Sequence, residues 1–326
     1  MSAPAFHDGN ELLLELYRLS QELPINQFQD GALDLIRPAV PFDTAMWGSA
    51  TLTDAGIDIH TIHLHRQSPE MLTAYEEVKH LDTAALAVGQ NPSSTLAFNA
   101  TTWFSGKNQQ ALRDYGKRFN QEHFFISGTI NPANRFTRWL TLFRADDKAH
   151  CTETERQRLA ALTPHVQQAL EFNRRVHLQK CSSTHNAPNF GHAIADPKGV
   201  LQHMDPIFEA AVRREWDGWH GHKLPGVLLD GFRAGQPRFV GRTCVMTMHL
   251  EHHLLFLKTR PCSPADALTP RETTVAQLMA SGKTHKEIAI MLRRAPSTVR
   301  NQIRSVYDKL NVSNVAGLIE QMRRTE

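Results

Sequence analysis

Two capping boxes separated by a glycine constrain this chain more than any other feature. In LTPRETTVAQLMASGKTHKEIAIMLRR, Thr269 can cap a helix that has Pro270 at its first position and Glu272 placed to reach back to the cap. Gly282 ends that helix, and Thr284 with Glu287 starts the next at once. Each box satisfies N–H groups left orphaned at a helix start, so the spacing predicts two helices joined by a turn of a few residues. Pro296 restarts the chain after Arg293, Arg294 and Ala295. Val299, Ile303, Val306 and Leu310 then recur at spacings of four, three and four, a stripe able to pack on Val275, Leu278, Ile288 and Leu292. The opposite face carries Ser297, Arg300, Asn301, Arg304 and Asp308. A fourth helix, capped by Ser313, places Val315, Leu318, Ile319 and Met322 on one side.

Charge points to the same segment. The net charge is +3, but ten Lys and Arg stand against six Asp and Glu from Asp266 onward, and 26 against 27 before it. The positive excess therefore lies in the tail, a modest footprint for a polyanion. Arg and Asn are also the side chains that make paired hydrogen bonds to guanine and adenine edges.

The segment resembles the LuxR-type DNA-binding domain. The resemblance is carried by Leu268, Thr269, Pro270, Arg271, Glu272, Gly282, Lys286, Glu287, Ile288, Ala289, Leu292, Thr298, Val299, Asn301, Lys309, Leu310 and Val312. It implies a recognition helix over 296–310, with Arg300, Asn301 and Arg304 at base edges and Lys286, Ser297, Thr298 and Lys309 at phosphates. It also implies a homodimer joined through Val315, Leu318, Ile319 and Met322. The sequence departs from the pattern at Ala295, where a capping serine or threonine is usual, at Gln302, and at Val315 and Gly317.

The 326-residue chain is long enough for two or three domains. Turn-rich CSSTHNAPN (181–189) and RPCSPADALTP (260–270) divide it into 1–180, 188–261 and 266–326. In the first segment, helical stretches at 11–22, 27–40, 70–79 and 109–121 accompany strand-like TAMWGSATL, IDIHTIHLH, HFFISGTI and RWLTLF. This predicts an α+β domain, an antiparallel sheet with helices on one face. A long helix follows from Thr152 to Lys180. Its stripe of Leu159, Leu162, Val166, Ala169, Asn173 and Val176 fits either a parallel coiled coil with a buried register-fixing asparagine or packing on its own domain's sheet. The middle segment reads as a small α+β unit with strands at GHAIAD, VLQH, RFVGRTCVMTMHL and HLLFLKTR. LIRPAVPFDTAMWG, RWLTLFRAD before TETERQRLAALTPHVQQAL, and IADPKGVLQHMDPIFEA resemble GAF-like and PAS-like sensor domains. The resemblance implies antiparallel sheets with helices ahead of an all-α helix-turn-helix domain, and a small-molecule effector.

Trp47, Trp103, Phe124, Phe125 and Trp139 are the aromatics expected to line an effector pocket. The acyl-homoserine-lactone receptor pattern, W-x-x-x-Y followed by D-P, is absent, and no strand ends in the acidic pair of a phospho-receiver. His60, His63, His65, His220, His222, His249, His252 and His253 lack companion ligands at metal spacing and read as surface groups. No Gly-rich phosphate loop, G-x-S-x-G or H-E-x-x-H occurs, so no catalytic residue, cofactor or metal is expected. Widely spaced Cys151, Cys181, Cys244 and Cys262, an acidic N-terminus and the lack of a long apolar run lead to the expectation of a cytoplasmic protein outside the membrane. Double-stranded DNA is the expected partner, and RNA polymerase a further one. The alternatives are a helical module that binds a partner protein and a metal-dependent enzyme with a DNA-binding tail.

Overall fold

The computed structural model describes residues 9–53, 56–91, 93–132, 135–182, 190–219, 221–251 and 253–323. Helices α1 (Gly9–Glu22) and α2 (Ile25–Ile36) lead into strands β1 (Thr44–Thr53) and β2 (Gly56–His65). Helices α3 (Glu70–Val78) and α4 (Thr83–Gln90), strand β3 (Thr95–Asn99), and helices α5 (Ala100–Trp103) and α6 (Gln110–Arg118) follow, then strands β4 (His123–Ile130) and β5 (Phe136–Arg144). The strands form one antiparallel sheet in the order β2-β1-β5-β4-β3.

Helices cover both faces of this sheet, not one. Trp47, Phe125, Leu140 and Leu142 share a buried cluster with Leu12, Leu16, Phe28 and Leu33 of α1 and α2 and with the long helix α7 (Glu153–Ser182). Phe98, Phe124 and Phe143 point the other way, into a second cluster with Val78, Ala84, Phe104 and Leu112. Neighbouring residues of a strand face opposite sides, so the Phe124-Phe125 pair requires an apolar cover on each.

The stripe on α7 is occupied by its own chain. Leu159, Leu162, Val166 and Ala169 lie in the first cluster. Asn173, 1% exposed, donates through Nδ2 to the Ser20 carbonyl at 3.1 Å and the Leu23 carbonyl at 2.8 Å, where α1 leaves acceptors unsatisfied. Packing on its own domain is thus the arrangement found, and no coiled-coil seam is left open on that side.

Beyond α7, β6 (Gly191–Ala195), β7 (Leu201–Met204), helices α8 (Pro206–Glu215) and α9 (Gly226–Arg233), β8 (Arg238–Val240), β9 (Cys244–Glu251) and β10 (Leu254–Pro261) build a second antiparallel sheet, ordered β7-β6-β10-β9-β8. The run expected as one strand from Arg238 breaks into β8 and β9. One face of the sheet packs on α8 and α9 through Ala193, Leu257, Met246, Phe208 and Leu228. The other meets the first half of the chain, where Ile194 and Phe256 pack with Ile25 and Leu178. Most of the turn-rich stretch at 181–189 lies outside the described residues, as do His220 and His252.

A short 3-10 turn, Pro264–Ala267, joins the second sheet to the tail. Its Asp266 accepts a two-bond contact from Arg260, both at 2.7 Å, and one from Arg238 at 2.6 Å. The tail then folds as α10 (Pro270–Ala280), α11 (His285–Met291), α12 (Pro296–Leu310) and α13 (Val315–Arg323). Among the described residues no helix is long and apolar enough to cross a membrane.

Candidate nucleic-acid interface

Both capping boxes form as spaced. The Thr269 side chain accepts from the Glu272 N–H, and the Glu272 carboxylate accepts from the Thr269 N–H at 2.8 Å. Thr284 and Glu287 repeat the arrangement. Gly282, at φ +81°, closes α10 with the Gly282 N–H on the Met279 carbonyl and the Lys283 N–H on the Leu278 carbonyl. That left-handed turn is strained for residues with a Cβ, and it sets the direction in which α11 leaves α10.

Helix α12 is held by its apolar side. Val299, Val306 and Leu310 are buried with Val275, Ala276, Ile288 and Leu318, and Ile303 and Leu292 pack against them. The other side is open. Arg300, Asn301 and Arg304 are exposed along it, and Ser297 and Thr298 are exposed in its first turn. Lys286 is exposed on α11. Within the described residues no ion pair or side-chain hydrogen bond engages Arg300, Asn301, Arg304 or Lys286, so their donors face solvent. Ala295 occupies the cap of α12 without a side-chain bond, leaving first-turn N–H groups open at a helix start, where anions are favoured.

Lys309 is placed differently from the other phosphate candidates. Its Nζ donates to Glu272 Oε2 at 2.7 Å, while Ser305 Oγ donates to Oε1 at 2.7 Å. Glu272, 8% exposed, thereby ties the start of α10 to the end of α12. The Lys309 ammonium, the Thr269 N–H and the Ser305 hydroxyl hold its carboxyl at about 2. The folded-state value is depressed, so this contribution is fully present above the ordinary glutamate range and is lost as pH falls toward 2. Glu272→Gln is expected to destabilise the tail by about 1–3 kcal/mol and to remove that acid-dependent loss. Hydrogen exchange over 269–310 of the full chain, measured against pH, checks both, and unchanged exchange would show the link to be inert.

Of the four residues expected at a dimer contact, Leu318 is fully buried in the tail's own core and Ile319 and Met322 pack against it. Val315 is 41% exposed and is the one with substantial free surface.

The five aromatics expected around an effector do not converge. Trp47, 1% exposed, and Phe125 sit beneath α1, α2 and α7, while Phe124 lies on the opposite face with Phe98 and Phe104. Trp139, half-buried, lies over Gly48, where a Cβ would come within 2.3 Å of the ring. Trp103 is 46% exposed and donates to Thr83 Oγ1 at 3.0 Å.

The histidines of β2 are also not surface groups. His65 is 3% exposed and His63 is partly buried, and both bond to Asp30 Oδ1, at 2.7 and 2.9 Å. Asp30 is on α2, a partner that spacing along β2 does not reveal. Among the described residues no group of three or more His, Cys, Asp or Glu could hold a metal ion.

A family model described as bacterial regulatory proteins, luxR family, matches residues 266–322. This chain is 42% identical over 55 residues to a probable HTH-type transcriptional regulator, GfsR, of Streptomyces halstedii, and 48% identical over 52 residues to the transcriptional regulatory protein DesR of Bacillus subtilis. The matches cover 17% and 16% of this chain, which spans about a quarter of the length of these curated relatives, 23% and 26%. Among solved structures, Escherichia coli SdiA aligns over 98% of both chains at 13% identity and a TM-score of 0.39. The N-acylhomoserine lactone dependent LuxR family factor CepR2 of Burkholderia cenocepacia aligns over 49% of this chain and 92% of its own, at 18% identity and 0.39. The family match falls on the segment that holds both capping boxes and the open face of α12: residues 266–322 belong to the luxR family of bacterial regulatory proteins.

Proposed function

We propose that this chain is a transcriptional regulator that reads duplex DNA with α12, acts as a homodimer, and answers to a small-molecule effector bound ahead of the tail. The observation that carries the DNA reading is the exposed row of Arg300, Asn301 and Arg304 on a helix whose other side is locked into the core. A rigid helix with unpaired planar donors on its outer face can enter a major groove and form paired bonds to base edges. Lys286, Ser297, Thr298 and the uncapped first turn of α12 flank that row and suit phosphates. Dimerisation would use the outer side of α13 at Val315, where the smallest rearrangement is needed. The effector role is motivated by the two antiparallel sheets and their helices, whose bulk the DNA-binding tail does not need for folding its own core.

Arg300→Ala and Arg304→Ala should each cost about 1–3 kcal/mol on a selected site and relax base preference there. Lys286→Ala should weaken binding to all sequences alike and flatten the salt dependence by about one unit. Anisotropy titrations of specific and scrambled duplexes at several salt concentrations separate the two. Equal losses on both duplexes for all three variants would remove Arg300 and Arg304 from base reading.

A further inference from the structure

We propose that a cavity between the first sheet and β7 binds a small organic monocarboxylate through Arg138 and Gln202, with Phe136 and Met204 against its apolar body. This deepens the effector reading above and rests on it only for the consequence for DNA. The cavity measures about 410 Å³, within the usual size of small-molecule sites. It opens where the face of the first sheet that carries Trp47 and Leu140 runs beyond α1 and α2, and β7 closes it from the other side. Strand alternation brings Phe136 and Arg138 to this face, and both line the cavity with Glu171 of α7 and Leu201, Gln202, His203 and Met204 of β7.

Charge selects the ligand class. Glu171 is the one carboxylate of the lining. It is ion-paired to Arg138, lies 3.9 Å from Arg174, and accepts from His203 Nδ1 at 3.0 Å. Two guanidinium groups therefore share a single carboxylate, which leaves a positive surplus at a site where Arg174 is 5% exposed. Such a surplus is costly without an anion. Unpaired donors outnumber the one acceptor, Glu171 Oε1, which lacks a hydrogen bond but is ion-paired to Arg138. Arg138 Nε, Arg174 Nε and Gln202 Nε2 are buried and have no acceptor, although Arg138 also donates to the Gln202 carbonyl at 3.0 Å. A buried donor without an acceptor costs about 1–3 kcal/mol, so a small turn of the Arg138 or Gln202 side chain toward a carboxylate in the cavity is repaid by the bond it gains. Ile130, Phe136, Leu201 and Met204 give one part of the wall an apolar surface beside the polar Thr129, Asn131 and His222, and that part suits an acid with an aromatic or branched body better than inorganic phosphate.

The position gives the site a means of communication. One wall belongs to the first sheet and α7, the other to β7, so a ligand that touches both favours whichever arrangement of the two halves closes on it. Occupancy is thereby coupled to the second sheet, from which Arg238 and Arg260 grip Asp266 at the head of the tail.

Calorimetric titration of the full chain with benzoate, phenylacetate, indole-3-acetate and 4-methylvalerate, each beside its neutral amide and beside inorganic phosphate, tests the site. At least one acid should bind at submillimolar concentration and at least tenfold tighter than its amide and than phosphate. Arg138→Gln and Gln202→Leu should each weaken that binding tenfold or more, whereas Trp103→Phe should leave it unchanged. Gln202→Leu preserves the Arg138–Glu171–His203 pairing, so it keeps the test decisive if Arg138→Gln fails to fold. Absence of binding by all four acids at millimolar concentration, equal binding of acid and amide, or full binding by Gln202→Leu would overturn the proposal. DNA titration with the bound acid is a separate arm: calorimetric binding without any change in DNA affinity would refute the effector reading and leave the site standing.

Discussion

Arg144→Met is expected to destabilise the first half of the chain by about 3–5 kcal/mol, because it removes a buried guanidinium and leaves the partly buried Glu155 carboxylate and the Pro41, Ala149 and His150 carbonyls without their donor. Arg144 is 5% exposed and donates to Glu155 through Nη1 at 3.2 Å and Nη2 at 2.7 Å. Its Nε donates to the Pro41 carbonyl at 2.8 Å and its Nη1 to the His150 carbonyl at 2.9 Å, so it ties the end of β5 to the chain before β1 and to the start of α7. Burial alone would raise the Glu155 carboxyl, but Arg144 and Thr152 overcome it and hold it at about 2. The depressed value means that the pair stabilises the fold above the ordinary glutamate range and that this stabilisation is lost as pH falls toward 2. Denaturant titrations at neutral and acid pH should show a large loss for the variant at neutral pH and a smaller one near pH 2. The double substitution Arg144→Met with Glu155→Leu should recover part of the loss. A loss below about 1 kcal/mol at neutral pH would mean that water replaces the guanidinium at little cost.

Trp47→Ala should cost about 3–5 kcal/mol as well, here through a cavity. The ring is 1% exposed, lies 6.5 Å from the Phe28 ring centre, and donates through Nε1 to Gln167 Oε1 at 3.4 Å. It links α2, β1 and α7 in a single cluster. Urea denaturation of the full chain measures the cost, and the tail of the full-length variant should keep its own hydrogen-exchange protection because its core is separate. A near-neutral Trp47→Ala that instead altered the response to an added small molecule would return this residue to the role of a ligand contact.

The part of the molecule legible in the sequence is the part whose determinants are local. Thr269, Glu272, Gly282, Thr284 and Glu287 act on backbone groups within four residues, so spacing alone placed α10 and α11, and the period of Val299, Ile303, Val306 and Leu310 placed the buried side of α12. Strands β1, β2, β4 and β5 were legible from alternation. β3 was not, because TLAFN is five residues between turn signals, and α9 was hidden by Pro225 and Gly231. What failed depended on partners distant along the chain. An apolar stripe with one asparagine has the same period whether it meets another copy or its own sheet, and only the Ser20 and Leu23 carbonyls, some 150 positions earlier, decide the matter for Asn173. His65 reads as a surface group until Asp30 is brought beside it, and Lys309 as a free cation until Glu272 takes it. Aromatic residues announce burial without saying whether a core or a pocket receives them. For the same reason the cavity beneath β7 had no signature, since Arg138, Glu171 and Gln202 come from three elements.

Selection of duplexes from a randomised library by the full chain, followed by sequencing, tests the central claim most directly. Recovery of a shared motif, lost on deletion of 266–326 and altered at one position by Arg300→Ala, is the predicted result. No enrichment over the starting library, or an enriched motif that survives deletion of 266–326, would contradict it.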